Sequence, residues 1–469
     1  MKAFCRSILT LGILAGVVFA QAPSRPAPAA KVIPYSAAKS VVEALRDDLL
    51  PPELRALTPA ARESAWPGWA ARHDAEIRAR LERGEEDSII NFLLFGTTFT
   101  NLPRAAERDL ALVTSAQPDA LPPGIRRRTD ALIAGISAPA GNERLQFVLQ
   151  FIEHKGMTPL TAAGKVDIRR YLAGIVFRVS AEIVSLSARR LNDSSIDLVE
   201  RLTRFRDRGL SSDTSIFADY GIEETLAAVK AKGLLPAVRR VAIIGPGLDF
   251  TDKHEGYDFY PEQTSQPFAV IDSLIRLGMA NASQLQMTTF DLSTRINLHL
   301  AALRERADRK DAYVLQLPRA MDMPWTPGLA DYWKRFGDRI GEETAPAAVP
   351  PTVGKVQMRA VRVRPGVMAS LTPRDLNIVL QRIEPLADGE RFDLIVATNV
   401  LTYYDAFEQS LALLNIATML KPGGMLLTNN GVFELPETPM AWIGSTDVTY
   451  MRLPDVGDTV DRVFWYQRQ

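Results

Sequence analysis

The stretch Val241-Ala242-Ile243-Ile244-Gly245-Pro246-Gly247 restricts this 469-residue chain more than any other. Four consecutive apolar residues, two of them β-branched isoleucines, predict a short strand buried on both faces. The strand stops abruptly at Gly-Pro-Gly. Glycine carries no Cβ, so the chain can turn sharply there and a ligand can approach its backbone. A glycine turn at the carboxyl end of a buried strand is where open α/β sheets bind nucleotides. Gly245 and Gly247 are therefore the first candidate binding residues.

Beyond the turn, the chain has the alternating pattern such a sheet requires. A loop over 251–262 leads to a helix over 266–279. Residues 284–290 predict a second strand, which ends in Asp291 and precedes a helix through Ile296, Leu300 and Leu303. Residues 312–317 predict a short third strand. A polar, aromatic and then Pro-rich passage over 321–351 has the look of an insertion, and 356–363 (VQMRAVRV) alternates like an edge strand. Residues 392–397 form another buried run. A helix over 405–420 stops at Lys421-Pro422-Gly423-Gly424, a strand comes next, and 448–453 with 460–466 supply a closing hairpin.

The first half reads differently. Residues 35–236 show helical spacing throughout, as in Leu145, Phe147, Val148, Phe151 and Ile152. Thr58-Pro59 marks a helix start, with threonine as cap and proline in the first turn. The passage over 204–215, RFRDRGLSSDTS, admits two readings. Its arginines, glycine and Ser/Asp/Thr can simply end one helix and cap the next; alternatively it is a polar lid beside the glycine turn.

The extreme N-terminus carries Lys2 and Arg6 before an apolar run over 8–19 and Val18-Phe19-Ala20. This predicts a signal peptide over 1–20, a Pro/Ala-rich linker over 21–34, and export to the periplasm or medium, with no stable membrane anchor after cleavage; a chain whose signal is not used would stay cytoplasmic. The single cysteine, Cys5, lies inside the signal, so the mature chain has no disulfide and no thiolate nucleophile. Fifty-five basic residues against fifty-five acidic ones argue against broad binding to nucleic acid.

Three segments join the glycine turn: FDLST around Asp291, FDLIVATNVLTYY over 392–404, and LKPGG over 420–424. Together they resemble the class I S-adenosylmethionine-dependent methyltransferases over roughly 237–469. The wording FDLI, NVL and Tyr403-Tyr404 is most similar to the chemotaxis-receptor methyltransferases. The resemblance implies an α/β fold: a Rossmann-like sheet closed by an antiparallel hairpin and preceded by an all-helical domain over 35–236. It implies S-adenosylmethionine as cofactor. Gly245 and Gly247 would face its methionine end and Asp291 its ribose. Asp375 and Leu376, in Pro373-Arg374-Asp375-Leu376-Asn377, would flank the adenine, and Asn399 and Val400 would line the methyl-donor edge. Departures stand at Ile243, where many such enzymes carry an acid, and at Asp249, where they carry a third glycine.

The residues allow plainer roles as well. Asp291 can cap the helix after it, and Asn399 can merely end its strand. The loop over 251–262 gathers His254 among acidic and aromatic residues. His254 and Tyr403 are the substrate-side catalytic candidates; the loop is otherwise a solvated acidic segment, and no metal ligands are assigned. Methyl transfer to an unknown small molecule or protein is the first functional expectation. An exported binding or scaffold protein that keeps the fold without turnover is the alternative. A nicotinamide-dependent oxidoreductase is disfavoured by Phe250 at the third position of a GxGxxG fingerprint.

Overall fold

The computed structural model describes residues 28–191, 205–206, 208–252, 256–453 and 457–469. The expected signal peptide, most of the linker before residue 28, and the catalytic candidate His254 lie outside the described residues.

The linker reading over 21–34 does not hold throughout. Ala29–Val32 forms strand β1, and Tyr35–Ala44 is helix α1. After Pro52–Arg55 (α2) comes α3, Pro59–Phe95, a helix of 37 residues. It starts as its sequence predicts, with the Thr58 hydroxyl accepting from Ala61 N–H and Pro59 in the first turn. At 1.5 Å per residue α3 is about 55 Å long, enough to cross two separate cores. Glu107–Ala111 (α4), Pro123–Ser137 (α5), Glu143–His154 (α6) and Ala162–Leu191 (α7) complete a helical bundle. The carboxyl half of α3 packs into that bundle through Ile90, Phe92 and Leu94.

Ile216–Ala231 (α8) precedes Arg240–Ile244 (β2), the strand of the glycine-turn motif. Gln266–Arg276 (α9), Gln286–Asp291 (β3) and Thr294–Arg309 (α10) come after it. Next, Tyr313–Ala320 (β4), Pro327–Arg335 (α11), Gly341–Glu343 (β5) and Val356–Val363 (β6) form a separate unit. The chain then runs through Pro365–Ala369 (α12), Leu371–Asp375 (β7), Gln381–Glu384 (β8) and Phe392–Val396 (β9). It ends with Ala406–Met419 (α13), Leu420–Thr428 (β10), Met440–Leu453 (β11) and Gly457–Arg468 (β12).

Seven strands form the main sheet in the order β7-β3-β2-β9-β10-β12-β11. The first five are parallel; β12 runs antiparallel between β10 and β11. This is a Rossmann-like sheet with a closing antiparallel hairpin, resembling the class I methyltransferase core, and a largely helical region precedes it. One expectation inside it fails. The segments over 312–317 and 356–363 are not strands of this sheet; they pair with each other, in β4 and β6 of a three-stranded antiparallel insertion. The third parallel strand is instead β7, LTPRD. Its proline and charges give no buried apolar run, which is tolerable only because β7 is an edge.

Alternate residues of β2 feed two cores. Val241 and Ile243 pack with α8, α9 and α10, whereas Ala242 and Ile244 pack with α13, α1 and the first half of α3. Trp66 and Trp69 of α3 sit in this second core, with Trp69 edge-on to Phe407 of α13 at 5.6 Å. Strand β1 pairs with β8. Packing on the sheet thus draws on segments from both sides of residue 236. Both α8 and the amino-terminal segment through the first half of α3 build on the sheet, and only the bundle around α5, α6 and α7 has a core of its own.

Two recognisable motif residues turn out to hold the sheet together. Asp393 of FDLI accepts from Arg239 and Arg240 N–H, both at 2.8 Å, and from Lys421 Nζ of LKPGG at 2.6 Å. One carboxylate thus ties the amino ends of β2, β9 and β10. Asp393→Ala is expected to lower stability by about 1–2 kcal/mol in denaturant titrations while ligand affinity at the opposite strand ends stays unchanged. A loss of affinity equal to that of a cavity variant would contradict this purely structural role.

Candidate functional site

The chain proceeds from β2 outward to β3 and β7, then returns to β9 on the other side of β2. Crevices open at the carboxyl ends of parallel strands where the order reverses in this way. A cavity of about 380 Å³ lies there, lined by Gly245 and Gly247 after β2, Asp291 at the end of β3, and Thr398 to Val400 after β9. That volume lies within the usual range for small-molecule sites.

The glycine turn is shaped by close approach on both sides. Gly245 has φ 66°, and a Cβ there would lie 2.6 Å from Val400 Cγ2. Gly247 has φ 73°, and its Cβ would lie 2.8 Å from Thr214 Cβ. The backbone pressing on Gly247 belongs to the polar stretch over 211–215, which also accepts the Leu248 N–H at Ser212 O, 2.7 Å away. Asp213 in that stretch accepts from Ser88 Oγ at 3.0 Å and from Asn91 Nδ2, both on α3. Ser215 caps α8, whose first turn reaches the cavity through Phe217 and Ala218. The stretch over 211–215 is thus a cap and a cavity wall together, so the two sequence readings meet in one segment.

Upstream, the same segment crosses α3 at a pair of glycines. A Cβ on Gly84 would sit 1.8 Å from Leu210 O, and one on Gly209 would sit 2.4 Å from Gly84 N. Arg80 reinforces the crossing by donating to Arg208 O at 3.1 Å and to Tyr403 O at 2.6 Å. The helical half therefore covers the strand ends.

Past the second glycine the chain departs from a dinucleotide site. No helix directly succeeds the glycine turn: the next one, α9, begins at Gln266. Pro246 offers no N–H. Phe250, at the third-glycine position, is buried in the bundle core against Phe92 and Phe147 at 5.6 and 5.2 Å. Its carbonyl is held by Arg144, which also donates to Tyr260 O at 2.6 Å. The loop leaves the sheet to anchor in the bundle, and this explains both Asp249 and Phe250. Asp249 accepts from Tyr260 Oη at 2.8 Å and Gln263 Nε2 at 3.2 Å. Asp258 takes the N–H and hydroxyl groups of Thr97 and Thr98 at 2.6–3.0 Å. Among the described residues no group of three or more His, Cys, Asp or Glu side chains could hold a metal ion.

Asp291 is enclosed by protein yet keeps an edge open to the cavity. Its Oδ1 accepts from Ser293 N–H at 2.7 Å, while Ser293 itself caps α10. No lysine or arginine among the described residues pairs with it. Burial pushes its carboxyl up to about 7, with the charge of Asp375 adding to the rise and the Ser293 N–H opposing it. Burial likewise lifts Asp219 and Asp249 to about 7. These groups keep protons in the folded state that the unfolded chain releases. Their contribution to stability is therefore complete below about pH 4 and is lost as pH rises through about 7. A diol donating to Asp291 needs the ionised form. Ligand affinity through this group should thus rise with pH, with binding about tenfold weaker at pH 6 than at pH 8 and a proton released on binding. Titration calorimetry in buffers of different ionisation heat checks this; a flat profile in wild type would contradict it.

The remaining sequence candidates separate. Leu376 and Val400 line the cavity. Asp375 does not: its carboxylate takes Arg78 Nη1 and Nη2 at 3.1 and 2.7 Å, outside the cavity wall. Asn399 has φ 57°, and its amide exchanges hydrogen bonds with Asn429 at the end of β10, so it ends its strand and lines the cavity at once. Tyr403 lines the cavity and is held through its carbonyl by Arg80. Sequence reasoning missed Gln266, Tyr450 and Asp461, all in the wall. Gln266 lies in an ordinary helix start and the other two in ordinary alternating strands, so no local motif marks them.

No family model and no curated protein matches the chain. Among solved structures it is similar to the glycopeptide N-methyltransferase MtfA complexed with S-adenosylmethionine, at 12% identity and TM-score 0.22, covering 52% of this chain and 77% of that one. It is similar to magnesium protoporphyrin IX methyltransferase (ChlM) from Synechocystis, at 11% and 0.24, covering 60% and 89%. A TehB-like S-adenosylmethionine-dependent methyltransferase from Corynebacterium glutamicum matches at 11% and 0.24, covering 62% and 100%. Likenesses this low carry no functional weight, and the fold stands on the strand order itself.

Proposed function

We propose that the protein is an S-adenosylmethionine-dependent methyltransferase whose cofactor occupies the cavity above β2, β3 and β9. The observation that carries this reading is the charge of the wall. Two carboxylates, Asp291 and Asp461, face the cavity beside the hydrogen-bonded Asp213, and no lysine, arginine or histidine among the described residues lines it. Such a wall repels the pyrophosphate of a dinucleotide and attracts a ligand of net positive charge. An orphan acceptor supports the fit: Gln266 is buried at the wall, its amide nitrogen donates to Thr398 Oγ1 at 2.8 Å, and its oxygen has no partner. It is placed to receive a donor from a ligand.

When bound, S-adenosylmethionine supplies an electrophilic methyl group on a sulfonium. The chain's own contribution is position. Asp291 would accept from both ribose hydroxyls, and Leu376 and Phe290, which line the same cavity, would pack against the base. Gly245 and Gly247 give backbone access beside the first turn of α8, whose positive end suits a carboxylate. The segment over 211–215 excludes water from above. Methyl transfer is an in-line displacement, so orientation within a closed wall can supply much of the rate. Calorimetry with S-adenosylhomocysteine and NAD tests the reading: the first should bind and the second should not. Binding without turnover on any acceptor would support the alternative of a retained, idle pocket.

A further inference from the structure

The cavity extends past the donor edge. From Asp291 on β3 to Asp461 on β12 there are four strand steps, roughly 19 Å at about 4.8 Å each. The wall around Asp461 thus lies across β2, β9 and β10 from the carboxylate assigned to the ribose, and is where a second reactant would enter. Asp461 is oriented there by a polar chain. Asn399 N–H donates to Asn429 Oδ1 at 2.7 Å, the Asn429 amide bonds Asp461, and Tyr450 Oη donates to Asp461 Oδ2 at 3.4 Å. Tyr450 stacks on Phe217 with centroids 5.4 Å apart, so aromatic surface flanks the carboxylate.

We propose, on the reading of this cavity as an S-adenosylmethionine site, that the methyl acceptor is an amine and that Asp461 takes its proton. A carboxylate acceptor would have to enter a wall that already holds Asp291 and Asp461 and, among the described residues, presents no side-chain cation. An ammonium is drawn to the same wall by charge and by the aromatic faces. The ammonium gives one proton to the Asp461 carboxylate, and the amine lone pair then attacks the methyl carbon. The N–C bond forms as the C–S bond breaks, and the bonding pair stays on sulfur as the neutral thioether. The product leaves as a methylammonium, and Asp461 returns its proton to solvent. Burial raises the Asp461 carboxyl above its ordinary range, in the direction a proton acceptor needs.

The test uses n-butylammonium and butyrate as probes. Each is titrated by calorimetry into full-length protein saturated with S-adenosylhomocysteine, and products with S-adenosylmethionine are identified by mass spectrometry. Binding of the amine and formation of N-methylbutylamine, without either response from butyrate, are expected. Asp461→Asn should weaken amine binding by about tenfold, while a wild-type thermal midpoint and continued saturable binding of S-adenosylhomocysteine report an intact fold. Methyl butyrate as product, no response to the amine, or an amine response unmoved in Asp461→Asn would overturn the inference and leave the cofactor reading standing. Wild-type protein that fails to bind S-adenosylhomocysteine would overturn both.

Discussion

Gly84→Ala should remove ligand binding without touching the cavity. The new Cβ would lie 1.8 Å from Leu210 O, a backbone atom that no side-chain rotation can move aside. Either α3 or the segment over 208–215 must shift, and overpacking of this kind costs about 1–3 kcal/mol. The less anchored partner is the segment, whose other contacts include hydrogen bonds it accepts from Ser88, Asn91 and Leu248. Its displacement opens the roof over Gly247 and unseats the first turn of α8. Affinity for S-adenosylhomocysteine should fall by about a hundredfold or more, with a lower thermal midpoint. Gly124→Ala on α5, where a Cβ meets nothing within 4 Å, should leave both unchanged. Wild-type affinity in Gly84→Ala would show that the helical half does not govern the site.

Asp291→Ala removes the carboxylate assigned to the ribose. Loss of two charge-assisted hydrogen bonds should weaken binding by about 1–3 kcal/mol, or roughly five- to 150-fold. The fold should tolerate the change, because Ser293 rather than Asp291 caps α10. Removing a carboxyl that burial holds near 7 should also flatten the rise of affinity with pH. An Asp291→Ala protein with unaltered affinity would refute the ribose role, and one that loses affinity but keeps the wild-type pH slope would assign the slope to another group.

Much of the sheet was legible in the sequence. Buried strands such as β2 and β9 have short apolar runs that need no partner to be recognised, and Gly-Pro-Gly and Lys-Pro-Gly-Gly mark where they turn. Legibility failed where an edge relaxes the pattern. Strand β7, with its proline and charges, carries no signal, whereas β6 alternates and β4 reads as a short strand, yet the two pair with each other outside the main sheet. Pairing partners are a tertiary property that local periodicity does not encode.

The site divides along the same line. Gly245, Gly247, Asp291 and Asn399 come directly after buried strands, so a strand reading places them at one edge. Asp375 has the same local position after β7, yet Arg78 from a helix almost 300 residues earlier claims it. Asp461 and Gln266 reach the cavity only because the hairpin and α9 fold over it. The helical half looked functionally silent for a related reason. Gly84 and Gly209 are unremarkable alone and meaningful only as a crossing.

On this reading the acidic cavity at the switch point holds a cationic adenosyl cofactor. Calorimetric titration of the full chain with S-adenosylmethionine, and with NAD under the same conditions, tests it most directly. Saturable binding of S-adenosylmethionine at a single site, lost or weakened in Asp291→Ala, with no heat from NAD, is the expected result. Folded protein that binds NAD, or that shows no heat with S-adenosylmethionine across a millimolar range, would contradict it.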